Sequence, residues 1–416
     1  MSTTAFAALP SALSDDIPPV TAPADRQIDK NGVMMDPGVL NPSQGSYIFE
    51  LTPKEGSNQV YVSIPAAVLA GLKLQNPDFT IDIETPFGIY RLPSYAEDYL
   101  ADLDDFEEAV LRTSSFRVTL TDKSADKALT DAFKKSLPQA TAISAFVDFK
   151  LELIDTASKD VLTRIDDFSG IIERLLPVLA TQVTKYYGAF SYNESTQIFG
   201  FVPHSVTPVD VEGKQYITIL IGSDNIYVAA ENHVPFNDVP ENAWYASTVF
   251  KAAAKSLVKG VGNNSYEPNR SVTRAEFTQM IANAMLLPQT GGDPYEDVAY
   301  GQWYYGAITS SKALGLLDQF KGNNFYPNQP ITREEMATIL ASVLRKFEIS
   351  VTAALGQFTD STSMESAYMP DISLVVGTGL MQGVGDDKFD PKGITTRAQA
   401  ATVQIRLLET LNLIDK

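Results

Sequence analysis

From residue 232 onward the chain repeats itself three times, and nothing else in it constrains the fold as tightly. An aromatic-x-Asp triplet opens each copy: Phe236-Asn-Asp238, Tyr295-Glu-Asp297 and Phe358-Thr-Asp360. Trp244 and Trp303 stand six residues after the first two aspartates; the third copy has Ser366 there, with Tyr368 two places on. A glycine-bearing turn follows, Gly260-Val-Gly262, Gly322 and Gly383-Val-Gly385, and leads to Tyr266-Glu-Pro268, Phe325-Tyr-Pro327 and Phe389-Asp-Pro391. Six residues past each proline is an arginine, Arg274, Arg333 and Arg397, so that aspartate and arginine are 36, 36 and 37 residues apart. Offsets this constant define one supersecondary unit used three times, each copy burying its apolar face against its neighbours.

Each arginine sits in a Thr-Arg-x-Glu/Gln motif: Thr273 to Glu276, Thr332 to Glu335 and Thr396 to Gln399. That spacing predicts a capping box, with threonine accepting from the amide three residues on and the Glu or Gln returning to the threonine amide. Apolar residues then recur at helical spacing, as in Phe277, Met280, Ile281, Ala284 and Met285, which predicts an amphipathic helix opening at each motif. An arginine in the first turn faces the positive end of the helix dipole, at a cost of roughly 0.3–1 kcal/mol. Three of them call for an anionic partner. Two partners stay open: the aspartate about 36 residues earlier, or an external carboxylate or phosphate held by the guanidinium together with first-turn amides. Trp244 and Trp303 have two readings as well, core packing or a flat wall for a sugar ring. The glycine pairs Gly260-Val-Gly262 and Gly383-Val-Gly385 are expected to supply positive φ in turns and close backbone approach to a ligand. They are no dinucleotide fingerprint, since no third glycine follows at the required spacing.

These residues resemble the S-layer homology (SLH) family, whose pattern is aromatic-x-Asp-Val-Pro, Trp-Tyr, a glycine-rich turn before Phe-x-Pro, and Ile-Thr-Arg-Ala-Glu opening a helix. Phe236-Asn-Asp-Val-Pro240, Trp244-Tyr245 and Val272-Thr-Arg-Ala-Glu276 match it closely. The resemblance covers about residues 234–412. It implies an α+β multidomain chain in which a β-rich N-terminal region precedes an all-α, pseudo-threefold module with a central three-helix bundle. It also implies non-covalent anchoring to a secondary cell-wall polysaccharide, with pyruvylated N-acetylmannosamine as the partner sugar. By position, Arg274, Arg333 and Arg397 would hold the pyruvyl carboxylate in grooves between repeats. Asp238, Asp297, Asp360, Trp244, Trp303, Gly262, Gly322 and Gly385 would shape those grooves. Copy three departs most, so two well-formed grooves and a weaker third are expected. The implied location is the surface or S-layer of a Gram-positive bacterium, with lattice self-assembly as a further partner reading.

The rest of the chain divides into a Pro- and Ala-rich arm over 1–45, expected to be disordered, and β-rich segments over 46–142 and 143–231 that form one or two units. Gln59–Ile64 and Ala145–Ile154 alternate apolar and polar residues, Thr80–Glu84 and Ile89–Leu92 predict a hairpin, and Pro65–Lys73 and Asp126–Leu137 predict helices. Val62–Ala67, Ile83–Gly88 and Asn225–Val228 make this region similar to β-rich domains that precede SLH repeats in surface proteins; no activity follows from that. The repeats are bounded at 232–290, 291–353 and 354–416. The start of the chain lacks a basic segment and an apolar core, so it is not a complete signal peptide.

Chemistry is limited by what is missing from the sequence. There is no cysteine, and the two histidines, His204 and His233, belong to no metal motif. The net charge is −19, of which residues 232–416 contribute −4 (15 basic, 19 acidic) and residues 1–231 contribute −15 (17 basic, 32 acidic). Neither part offers the basic excess that nucleic acid requires. No apolar run reaches the ~18–20 residues of a membrane span. Asp98, Asp102, Asp104, Asp105, Glu107 and Glu108 form an acidic cluster, read as a solvated face or a loose calcium site; no other cofactor or metal is expected. The chain is therefore expected to be an anchor and not an enzyme. The alternative is the anchor fragment of a larger exported polysaccharide-degrading enzyme.

Overall fold

The computed structural model describes residues 27–96, 108–179, 183–208, 213–289 and 291–416. Two compact units meet at the Glu231–Asn232 boundary.

The first unit is a sandwich of two sheets. Its elements are β1 (Ile28–Lys30), β2 (Val33–Met35), β3 (Ser46–Glu50), β4 (Gln59–Pro65), α1 (Ala66–Gln75), β5 (Thr80–Glu84), β6 (Ile89–Pro93), α2 (Glu108–Arg112), β7 (Ser114–Asp122), α3 (Lys127–Ser136), β8 (Thr141–Ala142), β9 (Val147–Asp155), β10 (Val161–Ile165), β11 (Asp167–Pro177), β12 (Tyr187–Asn193), β13 (Ile198–Phe201), β14 (His204–Val206), β15 (Tyr216–Ser223) and β16 (Ile226–Glu231). One sheet runs β13-β12-β16-β9-β7-β4-β1-β2, with β10 added to β9 and β8 to β16; the other runs β14-β15-β11-β6-β5-β3. Among the described residues only β3 and β5 pair in parallel. A single core lies between the sheets, with Val62, Val118 and Leu151 from one and Ile83, Ile172 and Ile219 from the other. α3 covers the outer face of the larger sheet, packing Leu129 and Phe133 on Phe146, Phe190 and Phe199.

Two sequence expectations change here. The arm expected over 1–45 gives way to structure by Ile28: β1 and β2 form a hairpin whose turn places Asn31 (φ 49°) and Gly32 (φ 87°) in the left-handed region, the Asn-Gly signature of a type I′ turn. The β-rich segments 46–142 and 143–231 are one unit, because β7 pairs with β9 along nine residues and β6 with β11. Of the acidic cluster, Asp98 to Glu107 lie outside the described residues, and Glu108 opens α2.

The second unit contains α4 (Ala246–Ala254), α5 (Arg274–Ala284), α6 (Tyr305–Ala313), α7 (Arg333–Lys346), α8 (Met369–Gly377) and α9 (Arg397–Thr410). Each repeat supplies a short helix and then a long one. The long helix packs on the short helix of the next repeat, α5 on α6, α7 on α8 and α9 back on α4. The packing units are thus out of step with the sequence repeats, and the ring closes.

At its centre three extended segments meet. Val272 N donates to Thr395 O (2.9 Å), Thr395 N to Ile331 O (3.0 Å) and Ile331 N to Val272 O (2.9 Å). β-bridges join Ser271 to Thr396, Thr273 to Pro330 and Thr332 to Ile394. The expected all-α module is therefore corrected: helices share the unit with a bridged extended centre and 3-10 turns at Leu355–Gln357 and Ser361–Ser363. The expected central three-helix bundle is corrected too, since the principal helix contacts are the three cross-repeat pairs, with α5 on α9 in addition. The physical reason is that segments entering the long helices carry backbone groups that no helix satisfies, and three copies satisfy one another.

The ring holds Val272, Ile331 and Thr395, all buried, and the hydroxyl of Thr395 has no hydrogen-bond partner. A buried unsatisfied polar group costs about 1–3 kcal/mol. Thr395→Val is expected to stabilise this unit by about 1–2 kcal/mol, measured as a rise in the midpoint of denaturant unfolding followed by tryptophan fluorescence.

Candidate functional site

All three long helices open with a complete capping box. Thr273, Thr332 and Thr396 accept from the amides of Glu276, Glu335 and Gln399 at 3.2, 3.3 and 3.3 Å. The side-chain oxygens of those residues accept from the threonine amides at 2.9, 3.0 and 3.0 Å. The next amides reach across to the following repeat. Arg274 N donates to Gln329 O, Arg333 N to Gly393 O and Arg397 N to Arg270 O; Ala275, Glu334 and Ala398 donate to Pro327, Pro391 and Pro268. The first-turn amides are therefore engaged within the protein. They leave no amide cradle for an anion, contrary to one sequence expectation.

The guanidinium groups follow the same cyclic path. Arg333 donates from Nε to Phe389 O (2.8 Å) and from Nη2 to Gln382 O (2.7 Å). Arg397 donates from Nε to Tyr266 O and from Nη2 to Lys259 O, both at 2.8 Å. Arg274 donates from Nη1 to Phe325 O (2.8 Å) but spends its other two nitrogens on the Glu335 carboxylate, Nε at 3.3 Å and Nη2 in a close ion pair. Each guanidinium also lies near an aromatic ring of the next repeat: Phe320 for Arg274 (5.2 Å), Phe389 for Arg333 (4.9 Å) and Tyr266 for Arg397 (4.5 Å). Burial pushes the Arg333 pKa down to about 10, with Asp390 and Asp360 pulling the other way, so it keeps its charge at neutral pH.

The repeat aspartates meet the arginines through a shared peptide and not directly. Asp297 accepts from the amides of Phe325 (2.8 Å) and Tyr326 (2.7 Å), while the Phe325 carbonyl receives Arg274. Asp360 accepts from Phe389 (2.9 Å) and Asp390 (2.8 Å). Asp238 accepts from Tyr266, Glu267 and the Ser265 hydroxyl at 2.7, 2.7 and 2.6 Å. Burial raises the Asp238 and Asp360 carboxyls, but these donors outweigh it and hold both below the usual range. The anchored residues Glu267, Tyr326 and Asp390 adopt φ of 57°, 55° and 57°, a conformation that costs non-glycine residues of order 1 kcal/mol and that the aspartates hold in place.

Trp244 and Trp303 are 65% and 60% exposed, so core packing is not their role. Each lies edge-on to the following tyrosine, 5.3 and 5.1 Å between centroids. Those tyrosines, Tyr245 and Tyr304, are the N-caps of α4 and α6, and Tyr368 is the N-cap of α8. The structure therefore aligns Ala367, not Ser366, with the tryptophans, and the extra residue of copy three falls between Asp360 and Tyr368. Gly262, Gly322 and Gly385 take φ of 107°, 97° and 115°, the turn geometry that only glycine adopts without strain.

Sequence reasoning missed Arg270. Its guanidinium pairs with the Glu276 carboxylate (2.7 Å). The signal was a fourth basic position, four residues before the helix arginine, where copies two and three have Gln329 and Gly393.

A family model described as "S-layer homology domain" matches residues 235–278, 294–337 and 357–401. The chain is 33% identical over 189 residues to an amylopullulanase of Thermoanaerobacterium thermosulfurigenes, covering 44% of this chain and 10% of that protein. It is 30% identical over 168 residues to the S-layer protein sap of Bacillus anthracis (40% and 20%). It is 26% identical over 184 residues to a surface-layer 125 kDa protein of Lysinibacillus sphaericus (43% and 15%). The chain thus spans a fifth or less of the length of these relatives. It carries three S-layer homology domains, which together with its S-layer relatives indicate a cell-surface or cell-wall location. Among the described residues no helix is long and apolar enough to cross a membrane.

Proposed function

We propose that residues 232–416 bind a secondary cell-wall polysaccharide that bears pyruvate ketals, most directly on N-acetylmannosamine. The observation that carries this reading is the pair of exposed tryptophans at one repeat position. Flat apolar rings left in water suit the C–H face of a sugar. The junction arginines add a group that matches a ligand carboxylate, and the chain itself performs anchoring and no turnover. Sedimentation with purified wall sacculi tests it. Binding is expected to be lost after acid extraction of the secondary polymer, and Trp244→Ala with Trp303→Ala is expected to weaken it at least tenfold. Equal binding before and after extraction would sink the reading. A second reading, an anchor serving a larger polysaccharide-degrading enzyme, is favoured by the likeness to the amylopullulanase; the size of the native gene product separates the two.

A further inference from the structure

The three junctions share a backbone but differ in charge. At Arg274 every guanidinium nitrogen has a protein acceptor, and two of them face Glu335. At Arg333 and Arg397 the Nη1 group makes no hydrogen bond and meets no carboxylate within ion-pair distance among the described residues, and it is not sealed from solvent. Arg333 is only 6% exposed, so this Nη1 group belongs to a largely buried cation.

The cause lies in two sequence positions. Glu335, the capping-box residue of α7, sits beside Arg274 of the preceding long helix. By repeat position the residue corresponding to it for Arg333 is Gln399, which carries no charge. Glu276 stands toward Arg397, but its carboxylate is held by Arg270 at 2.7 Å and by the Thr273 amide at 2.9 Å. In copy two the position of Arg270 is Gln329, so nothing draws Glu335 away from Arg274.

We propose that Glu335 silences Arg274, so that the carboxylates of the wall polymer are taken at Arg333 and Arg397 alone. This rests on the proposed reading of the ligand as a carboxylated sugar. It reverses the ranking that motif quality suggests: a close match to the family pattern carries its own anion, while the divergent Gln399 leaves an arginine available. An internal carboxylate already bonded at two nitrogens leaves an incoming carboxylate with repulsion and no guanidinium nitrogen that is not already engaged.

Calorimetric titration of the full chain with the methyl glycoside of 4,6-pyruvylated N-acetylmannosamine tests it. The unmodified chain is expected to bind two molecules. Glu335→Gln is expected to bind three; it keeps its capping box, as Gln399 does at 3.0 Å from Thr396 N. Gln399→Glu, which places an acid beside Arg333, and Arg270→Gln, which releases Glu276 toward Arg397, are each expected to bind one. A stoichiometry of three in the unmodified chain, or of two in Glu335→Gln, overturns the silencing while leaving the ligand reading intact. No binding of the glycoside by a chain that still sediments with sacculi overturns both.

Discussion

Replacing Arg174 with methionine is expected to lower the stability of the β-sandwich unit by about 3–5 kcal/mol, the usual result of removing one partner from a buried ion pair. Arg174 and Asp224 have no exposed side-chain surface. Arg174 donates from Nε (2.9 Å) and Nη2 (2.5 Å) to Oδ1 of Asp224, and from Nη1 to the carbonyls of Ile172 (2.7 Å) and Ile221 (2.9 Å). Its guanidinium lies 5.2 Å from the ring of Tyr90 and 5.4 Å from that of Phe168. Without it, a carboxylate with one oxygen already unpaired would stand alone in the core. Burial pushes Asp224 up to about 6 even with Arg174 beside it, and losing the cation raises it further. A folded-state pKa above the unfolded one means that the native state takes up its proton before the unfolded state does as pH falls. The deficit of Arg174→Met is therefore expected to be largest at alkaline pH and to shrink as pH falls toward about 6, below which Asp224 of the unmodified chain protonates as well. Adding Asp224→Asn should recover much of it. Both tryptophans lie in the other unit. Strand circular dichroism should thus report the loss while tryptophan fluorescence does not; a parallel fall in both, or a loss under about 1 kcal/mol, would refute the claim.

That same arginine shows why part of the fold was not legible in the sequence. β4 and β9 alternate apolar and polar residues in sequence and were expected to within two residues at each end. β11 was not expected, although it is the longest strand and bridges β6 and β15. Its inward face carries Ile172, Arg174 and Leu176, so a charge stands where the pattern needs an apolar residue. The hairpin of β1 and β2 carried a legible Asn-Gly signal, but it was outweighed by the Pro-rich composition around it. In the second unit the repeat, the caps and the helices were legible because they are local. The cross-repeat pairings were not. Arg274 and Glu335 are 61 residues apart, and Arg397 bonds to Lys259 across 138. Spacing shows that an arginine wants an acceptor; only the closed ring shows that the acceptor is mostly the backbone of the next repeat. The extra residue of copy three was misplaced for a similar reason, since a 3-10 turn at Ser361–Ser363 absorbs it without disturbing the Tyr368 cap.

The repeat aspartates should separate stability from binding. Asp297→Ala and Asp360→Ala are each expected to cost the second unit about 3–5 kcal/mol, because two hydrogen bonds to a charged acceptor are lost at about 1.5–3 kcal/mol each. Each change also frees a left-handed residue, Tyr326 or Asp390, whose strain then pulls the loop open. For Asp360 this contribution has a pH dependence. The Phe389 and Asp390 amides hold its folded pKa below the usual carboxylate range, so its stabilisation is complete at neutral pH and is lost only as the solution is acidified through that lowered pKa. In binding, the two variants should part. The Asp360 loop presents the Phe389 carbonyl that fixes Arg333; loosening it lets an open guanidinium swing, and one of two carboxylate sites should be lost. The Asp297 loop fixes Arg274, which Glu335 already neutralises, so Asp297→Ala should retain both sites at a temperature where the unit remains folded. Equal loss of stability with unequal loss of ligand is the pattern expected of a ring in which all three arginines hold repeats together and only two also keep a guanidinium nitrogen unengaged. Equal loss of both would mean that the aspartates act on the ligand only through the stability of the whole ring.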